Sequence, residues 1–340
     1  MVATASALMM VVACADDVES RGQPNVAGVA DLATNLEVPW GIAFLSDGSA
    51  LIAERNSGAI NHMSAPGAVN QVGAVASVAA RGEGGLLGLA TAGQTVFAYL
   101  TTGQDNRVVR MGFDGGALTG QSPILTGIPA GSIHDGGRIA LGPDGKLYVA
   151  TGDSGNRELA QDRSSLGGKI LRVNTDGSVP PDNPDPASPV WSFGHRNIQG
   201  LAWDSAGRLW ATEYGANRTD ELNLIQRGAN YGWPMAEGRA DTPGLTDPVI
   251  QWGTDEASPS GLAYYGGSLW VAALRGQRLF QIPIGADGAA GQPVSLFAGQ
   301  YGRLRTVVAA PDGSLWFTTS NRDGRGSPRD GDDRVLQFRP

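Results

Sequence analysis

Gly137-Arg-Ile-Ala-Leu-Gly-Pro-Asp-Gly-Lys146-Leu-Tyr-Val149 holds a short apolar run, a turn built on Pro-Asp-Gly, and a second apolar run. Runs this short, rich in β-branched and aromatic residues and bounded by glycine or aspartate, read as strands joined by a tight turn. The pattern recurs along the chain. Gly41-Ile-Ala-Phe is followed by Ser49-Ala-Leu-Ile, Gly88-Leu-Ala-Thr by Thr95-Val-Phe-Ala, and Gly200-Leu-Ala-Trp by Arg208-Leu-Trp. Gly261-Leu-Ala-Tyr precedes Ser268-Leu-Trp-Val, and Arg305-Thr-Val-Val precedes Ser314-Leu-Trp-Phe. The starts at 41, 88, 137, 200, 261 and 305 give a period on the order of fifty residues, the length of one propeller blade. The expected fold is therefore all-β: a six-bladed β-propeller with four-stranded antiparallel blades, one domain over residues 26–340.

Fifty glycines and twenty prolines among 340 residues supply the turn chemistry that many short strands need. The C-terminal segment Asp333 to Arg339 reads as a last strand, with Val26 to Leu36 as its partner in one closing blade, which would remove free sheet edges. The longer intervals, 137 to 200 and 200 to 261, leave room for loop insertions. The Pro-rich Val179 to Pro189 and the acidic Ala211 to Asn223 are the expected loops. A net charge of −8 argues against nucleic acid or an anionic membrane surface as partner.

The single cysteine, Cys14, follows an apolar segment, Val2 to Ala13, too short to span a bilayer. Val11-Val12-Ala13-Cys14 resembles a bacterial lipobox, whose cysteine is acylated and becomes the new N-terminus. Residues 1–14 are thus expected to be a lipoprotein signal peptide and 15–25 a polar tether. That implies an extracytoplasmic protein, lipid-anchored to the cell membrane or secreted, touching the membrane only through the anchor.

In a propeller the innermost strand of every blade starts at one end of the channel, so the residues before each repeat converge there. Those residues are Pro39-Trp40, Glu83, His134, Arg196-Asn197, Ser258 and Arg303-Leu-Arg305, with Arg275 just past the strand ending at Leu274. So many arginines in an acidic protein form a local excess of positive charge. Guanidinium forks pair bidentately with carboxylates or phosphates, so such a mouth suits a compact polyanion. The competing use of these arginines is pairing with the chain's own carboxylates across blades.

The order of motifs resembles the soluble quinoprotein aldose sugar dehydrogenases and glucose dehydrogenases, grouped with sorbosone dehydrogenase-like proteins. The resemblance runs from Val38 to Arg339. It rests on Gly84-Gly-Leu-Leu-Gly, His134-x-x-Gly-Arg, Lys169-Ile-Leu-Arg-Val, Gly194-His-Arg-Asn, Asn230-Tyr-Gly-Trp-Pro234 and Arg303-x-Arg305. It implies a six-bladed propeller holding pyrroloquinoline quinone (PQQ) and calcium at the mouth and oxidising the C1 hydroxyl of a sugar for an external electron acceptor.

Carried over by position, the resemblance makes His134 the general base, Asp153 its orienting partner, and Arg196 with Asn197 the donors to the quinone oxygen. Glu83, Ala273, Leu274, Arg275, Arg303 and Arg305 complete the cofactor site, the arginines neutralising its carboxylates. The main-chain carbonyls of Gly215 and Ala216 would bind the cofactor-linked calcium, and Glu221 with the Tyr231 carbonyl a structural one. The chain departs from the family pattern in having Glu83 for glutamine, Arg275 for lysine and Ala216 for proline. Two other readings stand beside this one: a calcium-dependent propeller lactonase, which needs side-chain carboxylates converging on a metal, and a non-catalytic envelope propeller that binds a partner.

Overall fold

The strands anticipated from the repeat form, and each pair of apolar runs becomes the two inner strands of a blade. The computed structural model describes Met1 and residues 28–340; Cys14, the apolar segment before it and the tether lie outside them. Six four-stranded antiparallel sheets make a six-bladed propeller. Blade 1 comprises Pro39–Phe44, Ala50–Glu54, Ala59–Ala65 and Ala68–Ala74, and blade 2 comprises Leu86–Ala92, Thr95–Thr101, Asn106–Phe113 and Leu118–Ile128. Blade 3 is Ile139–Leu141, Leu147–Ala150, Lys169–Val173 and Val190–Phe193; blade 4 is Ile198–Trp203, Leu209–Glu213, Thr219–Ile225 and Ile250–Gly253. Blade 5 is Pro259–Tyr265, Ser268–Ala273, Arg278–Pro283 and Val294–Leu296. Blade 6 takes Leu304–Ala309, Leu315–Thr319 and Val335–Phe338 from the C-terminal end and its outermost strand, Ala30–Ala33, from the N-terminal end. Ala30 faces Gln337 and Ala33 faces Val335, so the ring is closed as anticipated by pairing the two ends of the described chain.

The repeated glycine has a tertiary reason. A Cβ on Gly88 would lie 2.3 Å from the Gly137 carbonyl oxygen, and one on Gly261 would lie 2.7 Å from the Thr306 Cα. Neighbouring inner strands meet backbone to backbone at the hub, and Gly88 N–H donates to Gly137 O at 3.0 Å. Only a residue without a side chain permits that approach. Thr306 takes the corresponding place in blade 6 and uses its hydroxyl to bond the Trp40 carbonyl of blade 1.

The apolar core is divided among the seams. One cluster joins Leu51 and Ile60 of blade 1 to Leu89 and Val109 of blade 2, and another joins Trp270 and Leu279 of blade 5 to Phe317 and Phe338 of blade 6. The seam between blades 6 and 1 buries Leu32 and Leu36 with Ile52 and Trp316. Arg138 reaches across the hub. Its guanidinium stacks 4.2 Å from the Trp40 ring centroid and donates to Gln199 O and to Thr306 Oγ1, touching blades 1, 4 and 6.

The expected acidic loop needs correction. Most of Ala211 to Asn223 is strand, split between Leu209–Glu213 and Thr219–Ile225, and only a short turn remains between them. Glu221 and Asn223 alternate with Leu222 and Leu224, so a period of two signalled strand despite the charge. The insertion of blade 4 lies instead between Ile225 and Ile250. The Pro-rich segment is a loop, folded onto Arg172 through Asp182 and Asn183 at 2.9 Å. Among the described residues no helix is long and apolar enough to cross a membrane.

Candidate active site

The inner strands start at one face of the ring, and the residues before them do converge. Glu83, His134, Arg196, Asn197, Gly215, Ala216, Leu274, Arg275 and Arg303 all line one cavity of about 470 Å³ at the channel mouth. That is the size of a small-molecule site. A smaller polar chamber of about 40 Å³ adjoins it, lined by Trp40, Arg55, Asp135, Gln199, Arg305 and Asp323 and sharing Glu83, Tyr214, Leu274 and Arg325 with the larger one. Arg305 therefore sits in the inner chamber. Ala273, at the end of its strand, packs its methyl into the core between blades 4 and 5 and is absent from the cavity wall.

His134 is held in the left-handed backbone region, with φ of +59°. A side chain other than glycine in that region costs free energy and needs surroundings that impose it. Here the His134 amide donates to Glu83 Oε2 at 2.8 Å, and its carbonyl accepts from Ser154 N at 3.1 Å. The imidazole Nδ1 lies 2.7 Å from Asp153 Oδ1. Asp153 also accepts from Gly155 N and from Trp233 Nε1, both at 2.8 Å. Burial works to raise its carboxyl, but the bonds from His134, Gly155 and Trp233 outweigh burial and hold it below the ordinary 3.8. An ionised carboxylate only accepts, so Nδ1 must carry a hydrogen, and in the neutral imidazole the lone pair is then on Nε2. The residue lines the cavity and its side chain is 13% exposed.

Arg196 and Asn197 enter from blade 4. The Arg196 carbonyl accepts from Asp153 N at 2.8 Å, so one backbone contact ties the histidine's partner to the arginine. The Arg196 amide donates to Glu213, its Nη1 donates to Tyr214 O at 3.2 Å, and its guanidinium lies 5.5 Å from the Trp233 ring centroid. Its buried Nε has no partner among the described residues. Asn197 Oδ1 is occupied by Gly136 N and Gln199 Nε2, so its NH2 is the group it can offer a ligand.

Arginines of blade 6 share one carboxylate. Arg303 is 3.0 Å and Arg305 3.8 Å from Asp323 Oδ2, and Arg305 also donates to Gln199 Oε1 at 3.2 Å. The expected competition from the chain's own carboxylates is thus real but incomplete, since one acid cannot neutralise two guanidinium groups. Arg275, on the exposed rim, meets the Thr254 carbonyl at 3.4 Å.

The calcium candidates fit by their backbone. Glu237 Oε1 accepts the amides of Ala216, Asn217 and Arg218, each at 2.8 Å. In planar trans peptides the carbonyls of Gly215 and Ala216 must therefore point away from Glu237. Both residues line the cavity, and among the described residues neither carbonyl accepts a hydrogen bond. Oxygen ligands of this kind suit calcium. Glu221 lies apart from the mouth, opposite Glu213 on the neighbouring strand, and the buried Asn223 Oδ1 has no partner among the described residues. Burial, and then the Glu213 carboxylate, push Glu221 up to about 8, the condition a bound cation would relieve. Tyr231 joins this cluster by stacking on His195, which bonds Glu213 at 2.8 Å. Among the described residues no group of three or more histidine, cysteine or acidic side chains is arranged to hold a metal.

The site thus defines a β-propeller whose cation-lined mouth is built around a histidine–carboxylate pair. The chain matches the Glucose / Sorbosone dehydrogenase family over residues 36–327, and it belongs to that family. It is 50% identical to the structure of the PQQ-bound aldose sugar dehydrogenase of Streptomyces coelicolor, with a TM-score of 0.89 over 92% of this chain and 98% of that one. It is 35% identical to an uncharacterised protein of Synechocystis, covering 91% of this chain and 87% of that one. Against the aldose sugar dehydrogenase YliI of Escherichia coli the identity is 29%, over 90% and 94%. The fold is accordingly that of a PQQ-type sugar oxidoreductase.

Proposed function

We propose that this chain oxidises the C1 hydroxyl of an aldose or sorbosone-like sugar at the channel mouth, with PQQ and calcium bound there and an external electron acceptor completing the turnover. The observation that carries the reading is the position of His134, whose ring faces a cavity it shares with Arg196, Arg275 and Arg303. When bound, PQQ supplies a two-electron acceptor for the C1 hydride and calcium a Lewis acid for its carbonyl. Nε2 of His134 takes the hydroxyl proton of the sugar as the C1–H bond breaks, and the imidazolium so formed is stabilised by ionised Asp153. Arg196 and the Asn197 amide donate to oxygen that gains charge in the transition state. Arg275, Arg303 and Arg305 pair with carboxylates of the cofactor, and the Gly215 and Ala216 carbonyls hold the calcium. Glu221 and the Tyr231 carbonyl would hold a second, structural calcium.

The test is reconstitution: the purified protein is loaded with PQQ and calcium, then assayed for dye reduction with a panel of aldoses. Sugar-dependent reduction supports the reading. Binding without reduction leaves a non-catalytic propeller, and ester turnover with no quinone uptake leaves a lactonase. At the other end of the chain we assign Cys14 as the acylated anchor of an extracytoplasmic lipoprotein. Cys14→Ser should release the protein from membranes and abolish incorporation of labelled palmitate.

A further inference from the structure

Glu83 poses an electrostatic problem for any polyanion at the mouth. It lines both the large cavity and the inner chamber, and it is a carboxylate. It also has a structural task, because Oε2 accepts the amide of His134 and so helps fix the loop that carries the base. Its other oxygen, Oε1, lies 3.0 Å from Arg325 Nη2. The two residues come from different parts of the ring. Glu83 precedes blade 2, while Arg325 sits on the loop between the last two C-terminal strands of blade 6, so the pair spans the mouth side of blade 1. The turn bearing Arg325 is pinned by Asp323, whose Oδ1 accepts Arg325 N at 2.9 Å while Oδ2 holds Arg303 and Arg305.

We infer that Glu83 and Arg325 act as a charge-compensated clasp: Glu83 seats the His134 loop, and Arg325 cancels the charge of Glu83 toward an anionic ligand, which makes Arg325 a positioning residue for anion binding. The inference rests on the proposed quinone site and extends it to a residue outside the ring of strand-start arginines. Side-chain exposure favours a ligand-directed role over a structural one. Arg325 is 63% and Glu83 24% exposed, and exposed ion pairs contribute little to stability. Burial works to raise the Glu83 carboxyl, and the His134 amide and Arg325 together hold it below its ordinary value. The other charged groups facing it are His134, Asp135, Arg55 and Arg196.

The test is a double-mutant cycle on the full chain, titrating apo protein with PQQ in the presence of calcium. R325Q should weaken binding about tenfold, because Glu83 then faces the anion uncompensated. E83Q/R325Q should return to within about threefold of the parent, and R325K should rescue most of the loss. Unfolding midpoints should stay unchanged in R325Q. Parent-like binding by R325Q, or additive losses in the double variant, would overturn the inference. A second readout needs no quinone: the side-chain carboxyl of Glu83, followed by carbon NMR, should titrate at higher pH in R325Q than in the parent. If the parent takes up no PQQ yet this titration moves, the dehydrogenase reading and the anion-positioning role of Arg325 fail while its charge compensation of Glu83 stands; if the titration does not move, the clasp fails.

Discussion

Two histidine–carboxylate pairs stand at the entries of neighbouring blades, with nearly equal geometry. His134 Nδ1 is 2.7 Å from Asp153, and His195 Nδ1 is 2.8 Å from Glu213. They differ in what the second nitrogen meets. The His195 side chain is fully buried, its Nε2 lies 2.9 Å from Ser192 Oγ, and its ring stacks 4.6 Å from that of Tyr231. The His134 ring opens onto the cavity with the arginines. A carboxylate partner therefore does not make a histidine a base. It fixes a tautomer, and the cavity beside the other nitrogen decides whether that tautomer meets substrate or packs a blade.

Substitution should separate the pairs most sharply. His134→Ala is expected to lower kcat of the reconstituted enzyme about 10³-fold, with PQQ affinity nearly unchanged by titration. His195→Ala should leave turnover per folded molecule close to the parent. It should instead lower unfolding free energy in urea by about 3 kcal/mol, because Glu213 stays buried without its partner. An H195A protein of parental stability would erase the distinction between the two pairs.

Next in size is Asp153→Asn, which removes the acceptor that fixes the hydrogen on Nδ1. A fall in kcat of about 10²-fold with little change in KM is expected from steady-state dye reduction. The same carboxyl sets an acid limit to stability. Its folded-state pKa lies below the ordinary 3.8, so its contribution is fully present above that value and is lost as pH falls through the lower one. Urea unfolding above pH about 5 and below about 3 should show a smaller acid loss in D153N than in the parent. The smallest effect belongs to Trp233→Phe. It deletes one hydrogen bond to Asp153 while keeping an aromatic face for Arg196, so kcat should fall only about fivefold.

The repeat made the blades legible because strands and turns are local: a period of two between glycines needs no distant partner. The mouth was legible for the same reason, since each inner strand begins where a repeat begins, and His134, Arg196, Asn197, Arg303 and Arg305 followed from that spacing and the family resemblance. Glu237 and Arg325 were not. Both lie in segments that read only as turns, Glu237 in the insertion of blade 4 and Arg325 in a run of glycine and charge. The Asp-Gly at 323 marked a bend without saying what the bend would carry across the ring.

Sequence by itself determined that the chain is a ring of six small sheets, that one end of the ring gathers cations in an acidic protein, and that His134 stands among them. Tertiary structure alone decided which histidine nitrogen faces a cavity, which carboxylate is shared, and how Trp233 reaches Asp153 across 80 residues of chain. The reason is physical: short-range patterning fixes backbone conformation residue by residue, whereas the meeting of distant side chains is set by closure of the ring and by packing in its seams.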